Sequence, residues 1–178
     1  MLHMIDNWIG DPDLVRFLER QFTYKTPHYY IEYADSTNAP RTIFGKHDDQ
    51  ETHSQIFYST DFDPNDIMIK FMVIKAMETV EELTGIDSTR IVCERAHLTV
   101  QHPGQDIEVH QDGGDITAVY TAACPGAGDF VFEVGTGEQH YEFQKNRLFV
   151  FDGSQRHRAP APVARRPRVL LVIKFAIK

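Results

Sequence analysis

The chain has 178 residues, of which 42% are hydrophobic and 25% are charged, a composition typical of one globular domain. Its formal net charge of −8 disfavours a nucleic-acid partner, because that binding depends on many Lys and Arg side chains that neutralise phosphates. Two cysteines are too few for a disulfide framework, and neither a signal peptide nor a membrane-spanning apolar run is recognisable. We therefore expect a soluble cytoplasmic protein with no membrane partner.

Two helices are predicted in the first half of the chain. In "DPDLVRFLERQF", Asp11 is a candidate N-cap and Pro12 occupies the first helical position. In "DPNDIMIKFMVIKAMETVEELTG", Asp63 and Pro64 take the same positions, and Gly85 ends the helix. The apolar residues at helical spacing are Leu14, Val15, Leu18 and Phe22 in the first helix, and Ile67, Phe71, Ile74, Met77 or Glu78, and Leu83 in the second. Met68, Met72 and Val73 widen the apolar face of the second helix.

The remaining segments have the composition of strands and loops. "HYYIEY" reads as a strand, and the polar run 34–52 reads as a loop. After Gly85, seven short segments rich in β-branched and aromatic residues are separated by turn-forming residues, which is typical of an antiparallel sandwich or barrel. These segments are "TRIVCERAHLTVQ", "DIEVHQD", "DITAVYTAA", "GDFVFEVG", "QHYEFQ", "NRLFVFDG" and "RPRVLLVIKF". Helices followed by these strands predict a single α+β domain.

Two His-x-Asp pairs occur in the chain, His47/Asp49 in "GKHDDQETH" and His110/Asp112 in "EVHQDGGD". Strand alternation places His110 and Asp112 on one side of a strand end, so both side chains can reach one ion. The two glycines that follow allow a sharp turn beside that ion. The first pair lies in the predicted loop, where flexible ligands lose more entropy on binding. The second pair is therefore the better candidate metal site.

A divalent metal needs a third ligand from elsewhere in the barrel. His157 is the leading candidate because it follows the strand-like "NRLFVFDG" and lies eleven residues before Arg168 on the predicted last strand. His140 in "EQHYEF" is the rival.

The order and spacing of these residues resemble the iron(II)- and 2-oxoglutarate-dependent dioxygenases, in particular the prolyl-hydroxylase-like group and similar short oxygenases of phages and bacteria. The resemblance runs from about Arg95 to Phe175, and includes "HPGQDIEVHQD" before the metal pair and "NRLFVFDGSQRHRAPAPV" around the distal histidine. It implies a double-stranded β-helix (jelly-roll, cupin-like) barrel supported by N-terminal helices. We expect one domain over residues 1–178, with helical support and variable loops in 1–90 and the metal-binding barrel in 91–178.

The resemblance also implies a role for each site residue. His110, Asp112 and His157 would bind iron(II), and Arg168 would bind the far carboxylate of 2-oxoglutarate with bidentate, charge-assisted hydrogen bonds. The implied cofactors are iron(II), 2-oxoglutarate and O₂, with ascorbate left open as an additional reductant. Because two imidazoles and one carboxylate leave adjacent coordination positions open, such a centre can oxidise a substrate carbon while 2-oxoglutarate becomes succinate and CO₂.

Two departures from the family pattern concern the co-substrate site. Members often carry a tyrosine three residues before the glycine of the approach segment, where this chain has Gln101 before Gly104. Tyr120 in "AVYTAA" is the candidate to supply a phenol from a neighbouring strand instead. The polar residue often found two places after the arginine is Leu170 here, which leaves Arg168 with less help.

Strand alternation in "RVLLVIKF" puts Arg168, Leu170, Val172 and Lys174 on one face and the residues between them on the other. Arg168 can therefore point inward. Arg166 has the same parity and is the alternative anchor for the co-substrate.

The carboxylate of Asp112 favours hydroxylation or a related oxidation, since halogenating members of the family replace it with a small residue. The leading hypothesis is hydroxylation of an amino-acid side chain, free or in a peptide, as prolyl hydroxylases do. A small-molecule oxygenase of specialised metabolism is a close alternative, and nucleic-acid demethylation a weaker one. A non-catalytic cupin-like barrel that binds a metal or small ligand is the alternative from another class. Structural zinc sites are normally closed by four protein ligands, so a three-residue set favours catalysis.

Overall fold

A computed structural model describes most of the chain. The described residues are 1–26, 62, 66–124, 126, 128–163 and 165–178, together with the backbone of strands 29–33, 40–42 and 56–58. His47 and Asp49 lie outside the described residues, as do the expected N-cap Asp63 and Pro64. Within the described ranges, neither helix is long and apolar enough to cross a membrane.

Two α-helices and twelve strands make up the described fold, with one short 3-10 helix (Ser88–Arg90) before the fifth strand. In chain order they are β1 (Leu2–Ile5), α1 (Pro12–Tyr24), β2 (Tyr29–Tyr33), β3 (Pro40–Thr42), β4 (Ile56–Tyr58), α2 (Ile67–Thr84), β5 (Ile91–Gln101), β6 (Ile107–His110), β7 (Ile116–Ala123), β8 (Asp129–Val134), β9 (Gly137–Glu142), β10 (Leu148–Asp152), β11 (His157–Ala159) and β12 (Arg168–Ile177). All seven strands predicted after Gly85 are present, and "HYYIEY" contains β2.

Hydrogen bonding groups the described strands into two antiparallel sheets rather than one closed barrel. The larger sheet has the order β1-β10-β7-β12-β5-β4-β2-β3, and the smaller one has the order β6-β11-β8-β9. Four strands were not predicted: β1 pairs with β10, β3 and β4 pair with β2, and β11 pairs with β6 and β8. β3 lies within the run 34–52, so the prediction of a loop there is wrong for residues 40–42. Such short segments become strands because they pair with neighbouring strands. This pairing depends on the tertiary structure, so local composition does not predict it.

The first helix follows the sequence prediction. Asp11 caps α1 by accepting hydrogen bonds from the backbone N–H groups of Asp13 and Leu14, and Pro12 begins the helix. The predicted apolar stripe is the buried one, since Leu18 and Phe22 are fully buried. This stripe covers one face of the larger sheet.

The second helix differs from the prediction at its start and in its buried face. α2 begins at Ile67, and the Asp66 side chain caps it by accepting from the backbone N–H groups of Met68 and Ile69. Its end is confirmed, because Gly85 adopts the left-handed conformation with φ 72°. The buried residues are Ile69, Met72, Ala76, Thr79 and Val80. Of the predicted apolar face, Met72 is buried, whereas Ile67, Phe71 and Ile74 are exposed. The helix is apolar on more than one side, so periodicity alone did not identify the face that packs.

The larger sheet separates two apolar clusters, and strand alternation decides which residues face each one. Val169, Leu171 and Ile173 of β12 belong to the cluster that contains the helices. Leu170 and Val172 belong to the other cluster, which includes phenylalanines of the smaller sheet. The side chains with the parity of Leu170, which include Arg168 and Lys174, therefore point toward the smaller sheet.

Candidate metal centre and its pocket

The structure brings His110, Asp112 and His157 together. One potential ligand atom from each of the three side chains lies within 4.8 Å of the others. His110 ends β6 and His157 begins β11, and the two residues are direct partners in the antiparallel pair. Their ring centroids lie 4.4 Å apart. The pairing of the short strands β6 and β11 thus places both imidazoles beside the carboxylate of Asp112.

Both imidazoles are oriented by their own backbone. The Nδ1 of His110 lies 2.8 Å from the carbonyl oxygen of Glu108, and the Nδ1 of His157 lies 2.8 Å from that of Gln155. Because a carbonyl oxygen only accepts, each Nδ1 carries a proton, and in the neutral imidazole the Nε2 atom then presents the lone pair that binds a metal. The Nε2 atoms lie 3.8 and 3.5 Å from the Asp112 carboxylate. This arrangement of two imidazole nitrogen atoms and one carboxylate fits iron(II).

His157 is held in an apolar environment that keeps it neutral. Its side chain is 3% exposed, and its ring contacts Phe130, Phe132 and Phe151 with centroids 5.2, 5.7 and 4.8 Å away. Burial, partly offset by the charge of Asp112, lowers the pKa of His157 to about 4. At neutral pH the imidazole is therefore available as a ligand without first losing a proton.

The turn that carries Asp112 is hydrogen-bonded to the residue after β10 and to β12. The backbone N–H of Asp112 donates to Gly153 O at 3.2 Å, and that of Asp115 donates to Phe175 O at 2.9 Å. Gly114, with φ 71°, lies so close to β12 that a Cβ there would meet Phe175 O at 3.1 Å. The predicted need for glycine beside the site thus has a structural reason: the turn is left-handed and runs against a neighbouring backbone.

Lys174 is a further neighbour of the Asp112 carboxylate, besides His110 and His157. No role was predicted for it from the sequence. Its Nζ lies 3.2 Å from Asp112 Oδ1 and also donates a hydrogen bond to Asp112 O. Burial raises the pKa of the Asp112 carboxyl, but His157, Lys174 and His110 more than offset it, so the pKa is lowered overall. Asp112 is therefore ionised and ready to bind a cation at neutral pH. A lysine six residues after Arg168 on the same strand face was the available sequence signal.

A cavity of about 590 Å³ opens beside the three side chains. Its wall combines residues of β5, β12 and the smaller sheet. The lining residues are Arg95, His97, Thr99, Ile107, Glu108, Val109, His110, Gln111, Asp112, Val119, Phe130, His157, Ala159, Leu170, Val172 and Lys174. A pocket that meets two imidazoles and a carboxylate on one side can hold a metal and small molecules bound to it.

Arg168 continues the pocket-facing row of β12 beyond Leu170. It is completely buried, and its guanidinium stacks on Phe143 with Cζ 3.9 Å from the ring centroid. Nε and Nη2 donate to Gln101 Oε1, and Nη2 also donates to Pro160 O at 2.5 Å. Nη1 has no acceptor among the described residues. Burial lowers the pKa of Arg168 to about 10, so this buried cation still has one free donor group for a carboxylate, which fits a dicarboxylic co-substrate.

Tyr120 does not reach the pocket, which corrects the expectation that its phenol assists 2-oxoglutarate. Its ring lies 5.4 Å from Trp8, inside the helix-side cluster. Its direct partner on β12 is Leu171, which faces the same cluster, whereas the adjacent Val119 lines the pocket. Alternation along β7 thus directs the Tyr120 side chain to the opposite face of the sheet.

The rival residues lie elsewhere. His140 is half-exposed on β9, where Nδ1 contacts Asp129 at 3.1 Å and Nε2 contacts Glu138 at 3.5 Å. Arg166 is exposed and lines a separate cavity of about 770 Å³ that includes Tyr24. Since β12 begins at Arg168, the strand alternation used to pair Arg166 with Arg168 does not extend to it.

Gln101 takes the position left by the absent tyrosine. It is completely buried opposite Arg168 in the β5–β12 pair. Its Oε1 accepts from Arg168, while its Nε2 donates to Gln105 O and Ala159 O, both at 2.6 Å. The amide therefore links the arginine to β11 and orients the guanidinium, which is the help that Leu170 does not give.

Replacing Gln101 with Leu removes these hydrogen bonds from a buried site. We expect the free energy of unfolding to fall by about 1–3 kcal/mol, because Arg168 and two carbonyl groups lose partners. We also expect several-fold weaker 2-oxoglutarate binding, measured by titration of metal-loaded protein. Gln139→Leu is the matched control, since Gln139 is exposed and its side chain accepts a hydrogen bond from the Tyr141 hydroxyl. Equal stability of Gln101→Leu and wild type would remove Gln101 from this role.

Comparison with known proteins identifies both a sequence family and a shared fold. Residues 69–177 match the family described as Aspartyl/Asparaginyl beta-hydroxylase. No curated protein matches the chain.

Several solved structures have the same fold. An oxidoreductase of the 2OG-Fe(II) oxygenase family from Burkholderia pseudomallei superposes with a TM-score of 0.68 at 12% identity, covering 98% of this chain and 84% of that one. A prolyl-4-hydroxylase from Pseudomonas putida gives 0.65 at 19%, covering 99% and 92%. The viral collagen prolyl hydroxylase vCPH from Paramecium Bursaria Chlorella virus-1, in complex with 2OG, gives 0.61 at 15%, covering 99% and 96%.

Proposed function

Because the chain belongs to the aspartyl/asparaginyl beta-hydroxylase family, we propose that it hydroxylates an amino-acid side chain, free or within a peptide. It is a hydroxylase that uses iron(II), 2-oxoglutarate and O₂. The observation that carries the proposal is the convergence of His110, Asp112 and His157 within 4.8 Å at the wall of a cavity. When bound there, iron(II) with 2-oxoglutarate and O₂ supplies the oxidising power that converts a C–H bond to C–OH, with succinate and CO₂ as co-products.

The protein side chains hold and position the reactants. We assign iron(II) to His110, Asp112 and His157, whose Nε2 atoms and carboxylate already face one another. We assign the far carboxylate of 2-oxoglutarate to Arg168, whose Nη1 has no acceptor among the described residues. The two sheets that carry these residues correspond, in this proposal, to the two halves of a double-stranded β-helix.

The wall of the pocket formed by β5 and β12 supports an acidic substrate. Lys174 lies six residues along β12 from Arg168, a separation of roughly 20 Å in an extended strand. Its direct partner on β5 is Arg95, and His97 follows two residues later on the same face. All three side chains line the cavity. A wall that carries these cationic and imidazole groups favours an aspartyl side chain over a neutral prolyl ring, because positively charged groups that line a pocket attract an anion.

The proposal is tested in two steps that separate chemistry from substrate choice. The first is an anaerobic titration of metal-free protein with iron(II) and then 2-oxoglutarate, monitored for the weak visible charge-transfer band of a chelated 2-oxo acid. The second compares succinate release, and a mass gain of one oxygen atom, for short peptides that differ only in a central Asp, Asn or Pro.

We expect the band to form and the Asp peptide to give the highest turnover. A preference for the Pro peptide would contradict an acidic substrate while leaving the hydroxylase intact. No band and no 2-oxoglutarate consumption in folded, iron-loaded protein would favour a binding module instead.

A further inference from the structure

We infer that Lys174 compensates the charge of Asp112, so that the loaded metal centre stays positive enough to bind the dianionic co-substrate tightly. This inference rests on the proposed function, since it takes Asp112 as a metal ligand. It assigns Lys174 an electrostatic role and not a merely structural one.

The contacts between the two residues are close and partly shielded from solvent. Lys174 Nζ lies 3.2 Å from Asp112 Oδ1, and the side chains are 18% and 10% exposed. Oδ2 is the oxygen nearer to His157, with 3.5 Å between it and Nε2. The lysine therefore engages one oxygen of the carboxylate and leaves the other directed at the imidazole.

The backbone holds Lys174 against this turn. The ammonium also donates to Asp112 O. The next residue, Phe175, accepts a hydrogen bond from Asp115 N at 2.9 Å, and the β5–β12 pairing shifts register between Lys174 and Phe175. The lysine thus reaches the carboxylate from a point on β12 that is bonded to the same turn, so the pair is a built feature and not a chance surface contact.

The charges at the centre explain why such a pair matters. An imidazole that binds a metal through Nε2 is neutral and keeps its proton on Nδ1, and in both histidines the Nδ1 faces a carbonyl oxygen. One carboxylate cancels one of the two positive charges of a divalent metal, and Lys174 cancels that carboxylate in turn. The centre then presents the full charge of the metal to a ligand with two carboxylates. In a partly buried site such a charge is weakly screened by solvent.

A purely structural role of Lys174 and a charge-compensating role predict opposite changes in metal affinity when the lysine is removed. If Lys174 served only to hold Asp112 in place, its removal would weaken metal binding, by about 10- to 100-fold for typical residues that orient a ligand. If it compensates charge, its removal takes a cation away from the metal, so metal binding stays equal or becomes tighter while co-substrate binding weakens. The two roles are therefore separated by the direction of one measured change.

The experiment measures Mn(II) affinity by titration calorimetry, and then the affinity of the Mn(II)-loaded protein for 2-oxoglutarate. The variants are Lys174→Met, Lys174→Gln and Lys174→Arg, with thermal unfolding of each as a check of the fold. Lys145→Met is the matched control, because Lys145 forms an ion pair with Glu19 at 3.1 Å and lines the separate cavity.

For Lys174→Met and Lys174→Gln we expect Mn(II) binding that is equal to or up to about tenfold tighter than wild type, and 2-oxoglutarate binding about tenfold weaker. Lys174→Arg and Lys145→Met should match wild type in both measurements. Weaker Mn(II) binding in the neutral variants, or unchanged 2-oxoglutarate affinity, would overturn the inference. Absence of Mn(II) binding in wild type would overturn the proposed metal centre itself, and is thus distinguishable from a failure of the Lys174 role alone.

Discussion

Asp112→Ala is expected to abolish iron-dependent turnover while the fold is retained. The substitution removes the carboxylate of the proposed iron-binding set and leaves two imidazoles. Loss of residues that merely orient a ligand costs 10- to 100-fold in activity, so loss of the ligand itself should lower succinate formation by at least about 100-fold. Mn(II) affinity should fall in parallel. The fold should persist because the turn is held by backbone hydrogen bonds to Gly153 and Phe175, which the substitution leaves in place.

The matched control is Asp106→Ala, which removes a carboxylate from the same approach segment at a position outside the pocket lining. Asp106 accepts a hydrogen bond from Ala161 N, so its loss tests the effect of a nearby structural carboxylate. We expect this control to keep wild-type metal affinity. Turnover of Asp112→Ala at the wild-type rate would show that Asp112 is not a metal ligand.

Arg168→Leu is expected to weaken 2-oxoglutarate binding by about 10- to 100-fold, because a charged hydrogen bond in a buried site contributes roughly 1.5–3 kcal/mol. Metal affinity should change little, because none of the candidate metal ligands His110, Asp112 and His157 is altered. The same substitution leaves Gln101 Oε1 and Pro160 O without their donor. The free energy of unfolding should therefore fall by about 1–3 kcal/mol.

Arg166→Leu is the control for Arg168→Leu, because Arg166 is exposed and lies outside the pocket beside the triad. It should leave both 2-oxoglutarate affinity and stability unchanged. The measurement is calorimetric titration of Mn(II)-loaded protein with 2-oxoglutarate. If Arg168→Leu binds 2-oxoglutarate as tightly as wild type and Arg166→Leu does not, the anchor is Arg166.

Local sequence patterns predicted most elements and the packed face of α1, but not the packed face of α2. The strands after Gly85 and the cap of α1 at Asp11 follow from alternation, turn residues and capping chemistry, all of which act within a few residues. The buried face of α2 did not follow, because Ile67 and Phe71 are as apolar as Ile69 and Met72. Choosing between the two stripes depends on where the sheet lies relative to the helix.

The candidate site divides in the same way. The sequence by itself determined the order His110, Asp112, His157 and Arg168, because strand parity and spacing along the chain are local properties. Only the tertiary structure decided which neighbours act with them. Tyr120 faces away from the pocket, because neighbouring residues of a strand point to opposite faces of the sheet and the adjacent Val119 lines the pocket.

The remaining neighbours come from strand pairing across the fold. Gln101 reaches Arg168 across 67 residues of sequence, and Lys174 reaches the backbone of Asp112 across 62. Contacts of this kind depend on the register between strands, which is set by the packing of whole sheets and not by any local pattern. The sequence therefore determined the candidate ligands, and the tertiary structure decided the charge and orientation of the groups around them.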